Sequence, residues 1–244
     1  MTVLALADEI DPERLAATYR ATSRVVIEPF LDSASATALA AHLVSRSDWR
    51  LVLNSGDKVF EIGRAEFEAM PATERARIDA AVVASARDGF QFRYDTIRVP
   101  DDAGERARRG DPIDLFAEWM AAPATLDLLR GIVGSPDVDF ADAQATAYRP
   151  GNFLNAHDDN VPGKGRRAAY VLGLTPDWRT EWGGLLLFHD RHRVEGLVPG
   201  FNRLTLFRVP QIHSVSHVTP LALRPRYSIT GWLRSVGRDV SPTR

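Results

Sequence analysis

The chain has 244 residues, of which 45% are hydrophobic and 25% charged, a composition typical of one globular domain with a full core. Its 30 basic and 32 acidic residues give a formal net charge of -2, so we expect no direct binding to nucleic acid or to membranes. The lack of cysteine excludes disulfides and thiolate metal sites. With no targeting segment evident, we expect a cytoplasmic protein.

Helix and strand patterns alternate in the first half of the chain. A helix is predicted after Asp11-Pro12, and Asp32 or Ser33 is predicted to cap a second, alanine-rich helix. The other expected elements are, in order, strands at 24–31, 51–54 and 58–62, a helix at 72–89, a strand containing Phe90, Phe92, Tyr94 and Thr96, a charged loop at 101–111, and two helices separated by Pro123 that end near Gly134.

The second half changes to short runs typical of β-strands. These runs cover residues 139–148, 167–174, 185–189, 194–198, 203–209, 214–218 and 227–233. Such spacing without helices between the runs predicts a sandwich or a barrel. We therefore expect a single domain over 1–244, with a helix-rich support at 1–137, a β core at 138–235 and a C-terminal tail at 236–244.

Two histidines and one carboxylate of the β-rich half can form a metal site. His157 and Asp159 project to the same side of an extended segment, and His213 follows from a distant strand. Two histidines with one carboxylate form the facial triad of non-heme Fe(II) enzymes. Alternatively, His157 is a surface residue of a polar loop, or His217 replaces His213 in a shifted register.

Arg226 begins a strand on which Ser228, Thr230 and Trp232 share its face by the period of two. An arginine among apolar walls needs an anion, because an unpaired buried charge is costly. The planar guanidinium matches a carboxylate with two hydrogen bonds. A dicarboxylate ligand would satisfy it, and pairing with an acidic residue of the chain is the alternative.

Several segments, in this order, resemble the Fe(II)- and 2-oxoglutarate-dependent dioxygenases, specifically the prolyl 4-hydroxylase-like group that includes hypoxia-sensing and ribosomal prolyl hydroxylases. The resemblance extends over roughly residues 22–234. The segments that carry it are 148–153 (YRPGNF), 157–159 (HDD), 183–186 (GGLL), 202–204 (NRL), 213–215 (HSV) and 226–232 (RYSITGW).

The resemblance implies an α+β fold with a mainly β core, a double-stranded β-helix (jelly roll) with N-terminal supporting helices packed on one sheet. It implies His157, Asp159 and His213 as the iron ligands and catalytic centre. It further implies Arg226, Tyr148 and Thr230 at the 2-oxoglutarate site, and Val171, Leu186 and Trp232 in the substrate pocket. One departure is Gly173, where hypoxia-sensing enzymes place a second cosubstrate-binding tyrosine.

The implied reaction is hydroxylation of a C–H bond, most simply of a prolyl residue in a protein or peptide, with release of succinate and CO2. Its cofactors would be Fe(II), 2-oxoglutarate and O2, with ascorbate as a supporting reductant. Two alternatives stay open: the same chemistry on a free amino acid or other small molecule, and a catalytically silent β-helix binding module. The sequence does not indicate an oligomeric state.

Overall fold

The computed structural model describes residues 4–235, so the predicted tail at 236–244 lies outside the described residues. The helices are α1 (Pro12–Thr22), α2 (Ser33–Ser45), α3 (Arg64–Ala69), α4 (Ala72–Asp88), α5 (Ala103–Arg109), α6 (Pro112–Met120) and α7 (Pro123–Val133). The strands are β1 (Arg24–Ile27), β2 (Arg50–Ser55), β3 (Lys58–Gly63), β4 (Phe92–Arg98), β5 (Phe140–Ala141), β6 (Gln144–Tyr148), β7 (Phe153–His157), β8 (Arg166–Leu174), β9 (Leu186–His189), β10 (Val194–Leu197), β11 (Phe201–Arg208), β12 (His213–Val215) and β13 (Arg226–Arg234).

All of the strands join one curled antiparallel sheet. Its main path runs β1-β11-β8-β13-β6-β4-β7-β12-β9-β10, while β2 and β3 extend from β4 and β5 pairs with β13. The curled sheet, with helices against its outer side, confirms the predicted double-stranded β-helix with a helical support.

Strands β8 and β13 divide the molecule into a helical core and a cavity. Tyr170 and Leu172 of β8 and Ile229 of β13 are buried with the helices in the main hydrophobic core. The alternate residues of the same strands point the other way and line a cavity. Because side chains alternate along a strand, one set stabilises the fold and the other is free to build a site.

The helices begin where the sequence supplies caps. The Asp11 carboxylate accepts a hydrogen bond from the Arg14 backbone N–H at 3.0 Å, with a proline in the first turn. Asp32 likewise accepts from two backbone N–H groups at the start of α2. Among the described residues, every helix is too short or too polar to cross a lipid bilayer.

One prediction for the first half is wrong. Residues 101–111 contain helix α5 instead of a continuous loop. Asp102 caps this helix by accepting from the Glu105 N–H at 2.7 Å, and Gly110 ends it in the left-handed conformation, with φ of 59°. The high charge of the segment suggested a solvated loop, but these two local signals outweigh it.

Strand β4 bridges the two parts of the sheet that carry the site. Its first residues, Phe92 and Arg93, pair with β7, and Asp95 to Arg98 pair with β6. Strand β7 ends at His157 and β6 ends at Tyr148. The local propensity of β4 predicts a strand, but only its pairing places it beside both of these residues.

Candidate active site

Three side chains converge at the open end of the sheet. His213 begins β12 and lies directly opposite His157, the last residue of the neighbouring strand β7. Asp159 follows in a turn, with its two carboxylate oxygens 3.4 Å from His157 Nε2 and 3.4 Å from His213 Nε2. One ligand atom from each residue lies within 4.8 Å of the other two, so the group can hold a metal ion.

The local backbone differs from the extended segment that the sequence predicts. Strand β7 stops at His157, and Asp159 has a φ of 63°, in the left-handed region. Few residues other than glycine adopt this conformation, and aspartate is among those that tolerate it best. The turn still brings the Asp159 carboxylate to the two histidines. The three residues are therefore close together as the sequence predicts, but a left-handed turn, and not an extended strand, places the carboxylate there.

Backbone carbonyl groups fix both imidazoles. His157 Nδ1 donates to the carbonyl of Asn155 at 2.9 Å, and His213 Nδ1 donates to that of Gln211 at 2.8 Å. A proton on Nδ1 leaves a lone pair on Nε2, the atom that faces Asp159 in each case. Each ring is therefore oriented to act as a neutral metal ligand.

The electrostatics of the three residues suit a cation. Burial and the neighbouring His157 lower the pKa of His213 to about 4. Burial raises the pKa of Asp159, but the adjacent imidazoles of His157 and His213 outweigh burial, so its pKa lies below the usual range. An ionised carboxylate thus lies beside two imidazoles whose Nε2 atoms face it, a donor set typical of non-heme iron sites.

Arg226 lies in the same cavity without a carboxylate partner. Its side chain is 4% exposed, and Nη1 donates to the Gly184 carbonyl at 2.8 Å. Its Nε is buried without a hydrogen-bond acceptor, and none of the ion pairs within residues 4–235 includes it. Burial lowers the pKa of this guanidinium. A buried cation of this kind requires an anionic ligand.

Tyr148 lies beside Arg226 on the adjacent strand. The two residues are paired in the register of β6 and β13, and the guanidinium carbon is 5.4 Å from the centre of the phenol ring. Burial raises the pKa of Tyr148, so the phenol keeps its proton and can donate a hydrogen bond. Thr146 and Ser228 supply a pair of hydroxyls on the same wall, with their oxygen atoms 2.8 Å apart.

The cavity that contains these groups has a volume of about 370 Å³, within the range of small-molecule sites. Every residue that the sequence analysis assigned to the site lines it; these are His157, Asp159, His213, Arg226, Tyr148, Thr230, Val171, Leu186 and Trp232. The alternative histidine, His217, is absent from the lining. Its ring stacks on Phe153 with a centroid distance of 4.1 Å.

The cavity also contains residues that the sequence analysis did not assign to it. Phe90, Phe92 and Tyr94 line one side, and Arg166 lies at the other side with its guanidinium carbon 3.5 Å from the centre of the Trp232 ring. Arg166 also donates to the Asp159 carbonyl at 3.0 Å. The sequence shows that aromatic residues alternate with polar ones along β4, but this pattern does not indicate which strands pair with β4.

Gly173 has a structural explanation. A Cβ atom at this position would lie 2.2 Å from the carbonyl oxygen of Gly200. Real Cβ atoms do not approach backbone oxygen so closely, so a tyrosine could not replace this glycine without a shift of the chain. Position 173 therefore supplies no tyrosine to the site, and the tyrosine next to Arg226 is Tyr148.

Comparisons with known proteins agree with this geometry. Residues 143–234 match the family described as the 2OG-Fe(II) oxygenase superfamily. The chain is 31% identical over 137 residues to the mouse protein named prolyl 3-hydroxylase OGFOD1, covering 52% of this chain and 23% of that protein. The chain spans less than a third of the length of the curated relatives it matches.

Solved structures share the fold. A Pseudomonas putida prolyl-4-hydroxylase superposes with a TM-score of 0.58 at 19% identity, covering 92% of this chain and 98% of that one. A Trichoplax adhaerens prolyl hydroxylase in complex with a hypoxia inducible factor peptide gives a TM-score of 0.61 at 17% identity, covering 92% and 89%. The sequence match over residues 143–234 and the shared fold show that the chain is similar to the 2OG-Fe(II) oxygenase superfamily and has a prolyl hydroxylase-like architecture.

Proposed function

We propose that this chain is an Fe(II)- and 2-oxoglutarate-dependent dioxygenase that hydroxylates a prolyl residue of a protein or peptide. The observation that carries the proposal is the presence, in one cavity, of a cation-binding triad and a buried arginine without an anion. A metal alone would explain the triad, and a carboxylate alone would explain Arg226. One cosubstrate that binds both the metal and Arg226 explains the two together.

His157, Asp159 and His213 would hold the iron on one face. When bound, Fe(II) supplies the activation of O2 and the oxidative decarboxylation of 2-oxoglutarate. The Nδ1 hydrogen bonds orient both imidazoles with Nε2 towards Asp159, burial lowers the pKa of His213 to about 4, and the pKa of Asp159 lies below its usual range. Neutral imidazole and ionised carboxylate are the forms that bind a metal, so iron would not have to displace protons from His213 or Asp159 near neutral pH.

Arg226 would bind the distal carboxylate of 2-oxoglutarate with its guanidinium, which supplies charge and two parallel donors. Tyr148 would donate a hydrogen bond from its protonated phenol, and Thr230 offers a hydroxyl on the same strand face as Arg226. All three line the cavity. Because the lining around them is largely apolar, each polar contact is strengthened.

The overall reaction would convert 2-oxoglutarate, O2 and a substrate C–H bond into succinate, CO2 and a C–O–H group. One oxygen atom enters succinate and the other enters the product. A prolyl substrate is supported by the names of the relatives, since the mouse protein is called a prolyl 3-hydroxylase and the Trichoplax structure is a prolyl hydroxylase with a peptide.

Succinate formation tests the proposal. Purified protein with Fe(II), ascorbate and 2-oxoglutarate under air should release succinate, and His157→Ala should reduce the rate to background. His192→Ala is the matched control, because this exposed histidine lies outside the cavity, and it should retain the wild-type rate.

Proline-containing peptides and free amino acids are then added separately. Stimulation by a peptide, with a mass increase of one oxygen atom, would establish the polypeptide substrate. Stimulation by a free amino acid alone would instead assign the same chemistry to a small molecule. Folded protein that neither forms succinate nor binds 2-oxoglutarate in calorimetry would overturn the enzymatic proposal.

A further inference from the structure

A row of aromatic rings forms one side of the cavity. Phe90, Phe92, Tyr94 and Tyr148, together called the aromatic wall, all line it. The first three alternate along β4 and the residues before it, so they share one face of the strand. Tyr148 joins them from the adjacent strand β6.

The rings are in contact from one end of the site to the other. Phe90 and Phe92 have centroids 5.8 Å apart, Phe92 and Tyr94 are 5.7 Å apart, and Tyr94 stacks on Tyr148 at 5.2 Å with an angle of 16° between the planes. At its outer end the Phe90 ring lies 5.5 Å from the ring of His157. The wall therefore runs from the metal triad to the side of Arg226.

The exposure of the rings decreases with depth. Phe90 is 48% exposed, whereas Tyr148 is only 4% exposed, and Phe92 and Tyr94 are partly buried between them. An exposed aromatic ring at the mouth of a polar site is typical of a binding surface.

A second exposed apolar side chain also lines the cavity. Val161, which follows the metal triad in the chain, is 44% exposed. The Arg166 guanidinium, which also lines the cavity, stacks on Trp232. Exposed apolar surface at this cavity therefore comes both from the outer end of the wall and from the segment after the triad.

We propose that Phe90 and Phe92 determine substrate specificity, by binding an apolar or prolyl residue next but one to the hydroxylated residue of an extended polypeptide. The inference rests on the proposed dioxygenase function and names the part of the substrate that the site selects. An extended chain repeats every two residues, or about 6.6 Å. This repeat is close to the spacing between successive rings of the wall.

Proline fits such a surface for two reasons. It lacks an N–H group, so its ring can lie on an aromatic face without leaving a donor unsatisfied. Its ring also fixes φ before binding, at a value that an extended chain can adopt, which lowers the conformational entropy lost on binding. A free amino acid would reach the triad without contacting both outer rings, so the wall favours a polypeptide.

The test compares Phe90→Ala and Phe92→Leu with wild type, using a set of proline-centred peptides of about ten residues. In one half of the set the position two residues from the central proline is proline or leucine, and in the other half it is aspartate. Free L-proline and N-acetyl-L-proline methylamide are the short probes. Phe60→Ala is the matched control, because this exposed phenylalanine lies outside the cavity.

Wild type should prefer the apolar peptides, and each wall variant should raise the peptide KM by roughly fivefold to tenfold. The KM for 2-oxoglutarate should change less than the peptide KM, because Phe90 and Phe92 are the outer two rings of the wall and Tyr148 is the ring beside Arg226. Phe60→Ala should behave as wild type. Melting temperatures close to wild type would show that the effect is not a loss of folding.

Two results would overturn the inference and leave the proposed function intact. One is wild-type protein that forms succinate but responds only to the short probes. The other is an equal KM for apolar and acidic peptides that the wall variants do not change. Failure of succinate formation and of 2-oxoglutarate binding in wild type would instead refute the proposed function on which the inference rests.

Discussion

The guanidinium of Arg226 lies over the ring of Tyr148, with 5.4 Å between the guanidinium carbon and the ring centre, and no carboxylate is paired with it in the part of the chain that the structure describes. Its Nη1 contacts only the Gly184 carbonyl, and its Nε has no acceptor. A charge that is buried without an ionic partner destabilises a fold, so such a charge is found chiefly at sites where function requires it.

Arg226→Met should lower the affinity for 2-oxoglutarate by about 100-fold or more. It should also raise the melting temperature of the cosubstrate-free protein, by about 2–4 °C for each kcal/mol gained in the free energy of unfolding. Methionine has a side chain of similar length to that of arginine but carries no charge. Calorimetry and thermal unfolding measure the two effects. Arg234→Met is the control, because Arg234 has a carboxylate partner, Asp142, at 3.2 Å, so its removal should lower the melting temperature. A less stable Arg226→Met variant that still binds 2-oxoglutarate would contradict this explanation.

Asp159→Ala should reduce succinate formation by about 100-fold or more while the protein stays folded. The substitution removes the only carboxylate of the triad, and both imidazoles keep their carbonyl partners. Rates and calorimetric binding of Mn²⁺ measure the effect. Asp57→Ala is the matched control, since that residue lies in an exposed turn outside the cavity and should be dispensable. Full activity of Asp159→Ala would refute its assignment as a ligand.

Gly183→Ala should destabilise the fold by about 2–4 kcal/mol. Gly183 has a φ of 70°, and a Cβ there would lie 2.0 Å from the carbonyl oxygen of His217. The glycine precedes Gly184, whose carbonyl accepts from Arg226, so the substitution should also weaken 2-oxoglutarate binding. Denaturant unfolding gives the free energy. Gly131→Ala, within helix α7 and with no atom near its Cβ, should instead stabilise by about 0.5–1 kcal/mol.

Alkaline pH should unfold the protein partly through Tyr19. This residue is buried in α1, and burial raises its pKa to about 12. The unfolded chain loses this proton near pH 10, so between pH 10 and 12 the folded state binds more protons and stability falls as pH rises, by about 1.4 kcal/mol per pH unit for one group. Tyr19→Phe should reduce this slope, measured as unfolding free energy against pH. An unchanged slope would show that Tyr19 does not titrate in this range.

The sequence predicted much of the β-rich half, because the period of two is a local property. Arg226, Ser228, Thr230 and Trp232 were predicted to share a face of one strand, and all four line the cavity. Local signals also fixed α1 and α2, where aspartate caps begin each helix. The same kind of signal was present for α5 at Asp102 and Gly110, but the charge of that segment suggested a loop instead.

Other features of the site needed the tertiary structure. The left-handed turn at Asp159 replaces the extended geometry from which its position was predicted. The close approach of Gly200 explains why position 173 is glycine, a contact between residues far apart along the chain.

By itself, the sequence determined which chemical groups the protein has: a set of nitrogen and oxygen ligands in His157, Asp159 and His213, and a cation in Arg226. Residue type and local periodicity carry this information, because they depend only on neighbours along the chain. The tertiary structure decided that Phe90, Phe92 and Tyr94 form a wall of the same cavity. That outcome depends on β4 pairing with both β6 and β7, and strand pairing is set by the packing of the whole sheet, which no local pattern encodes.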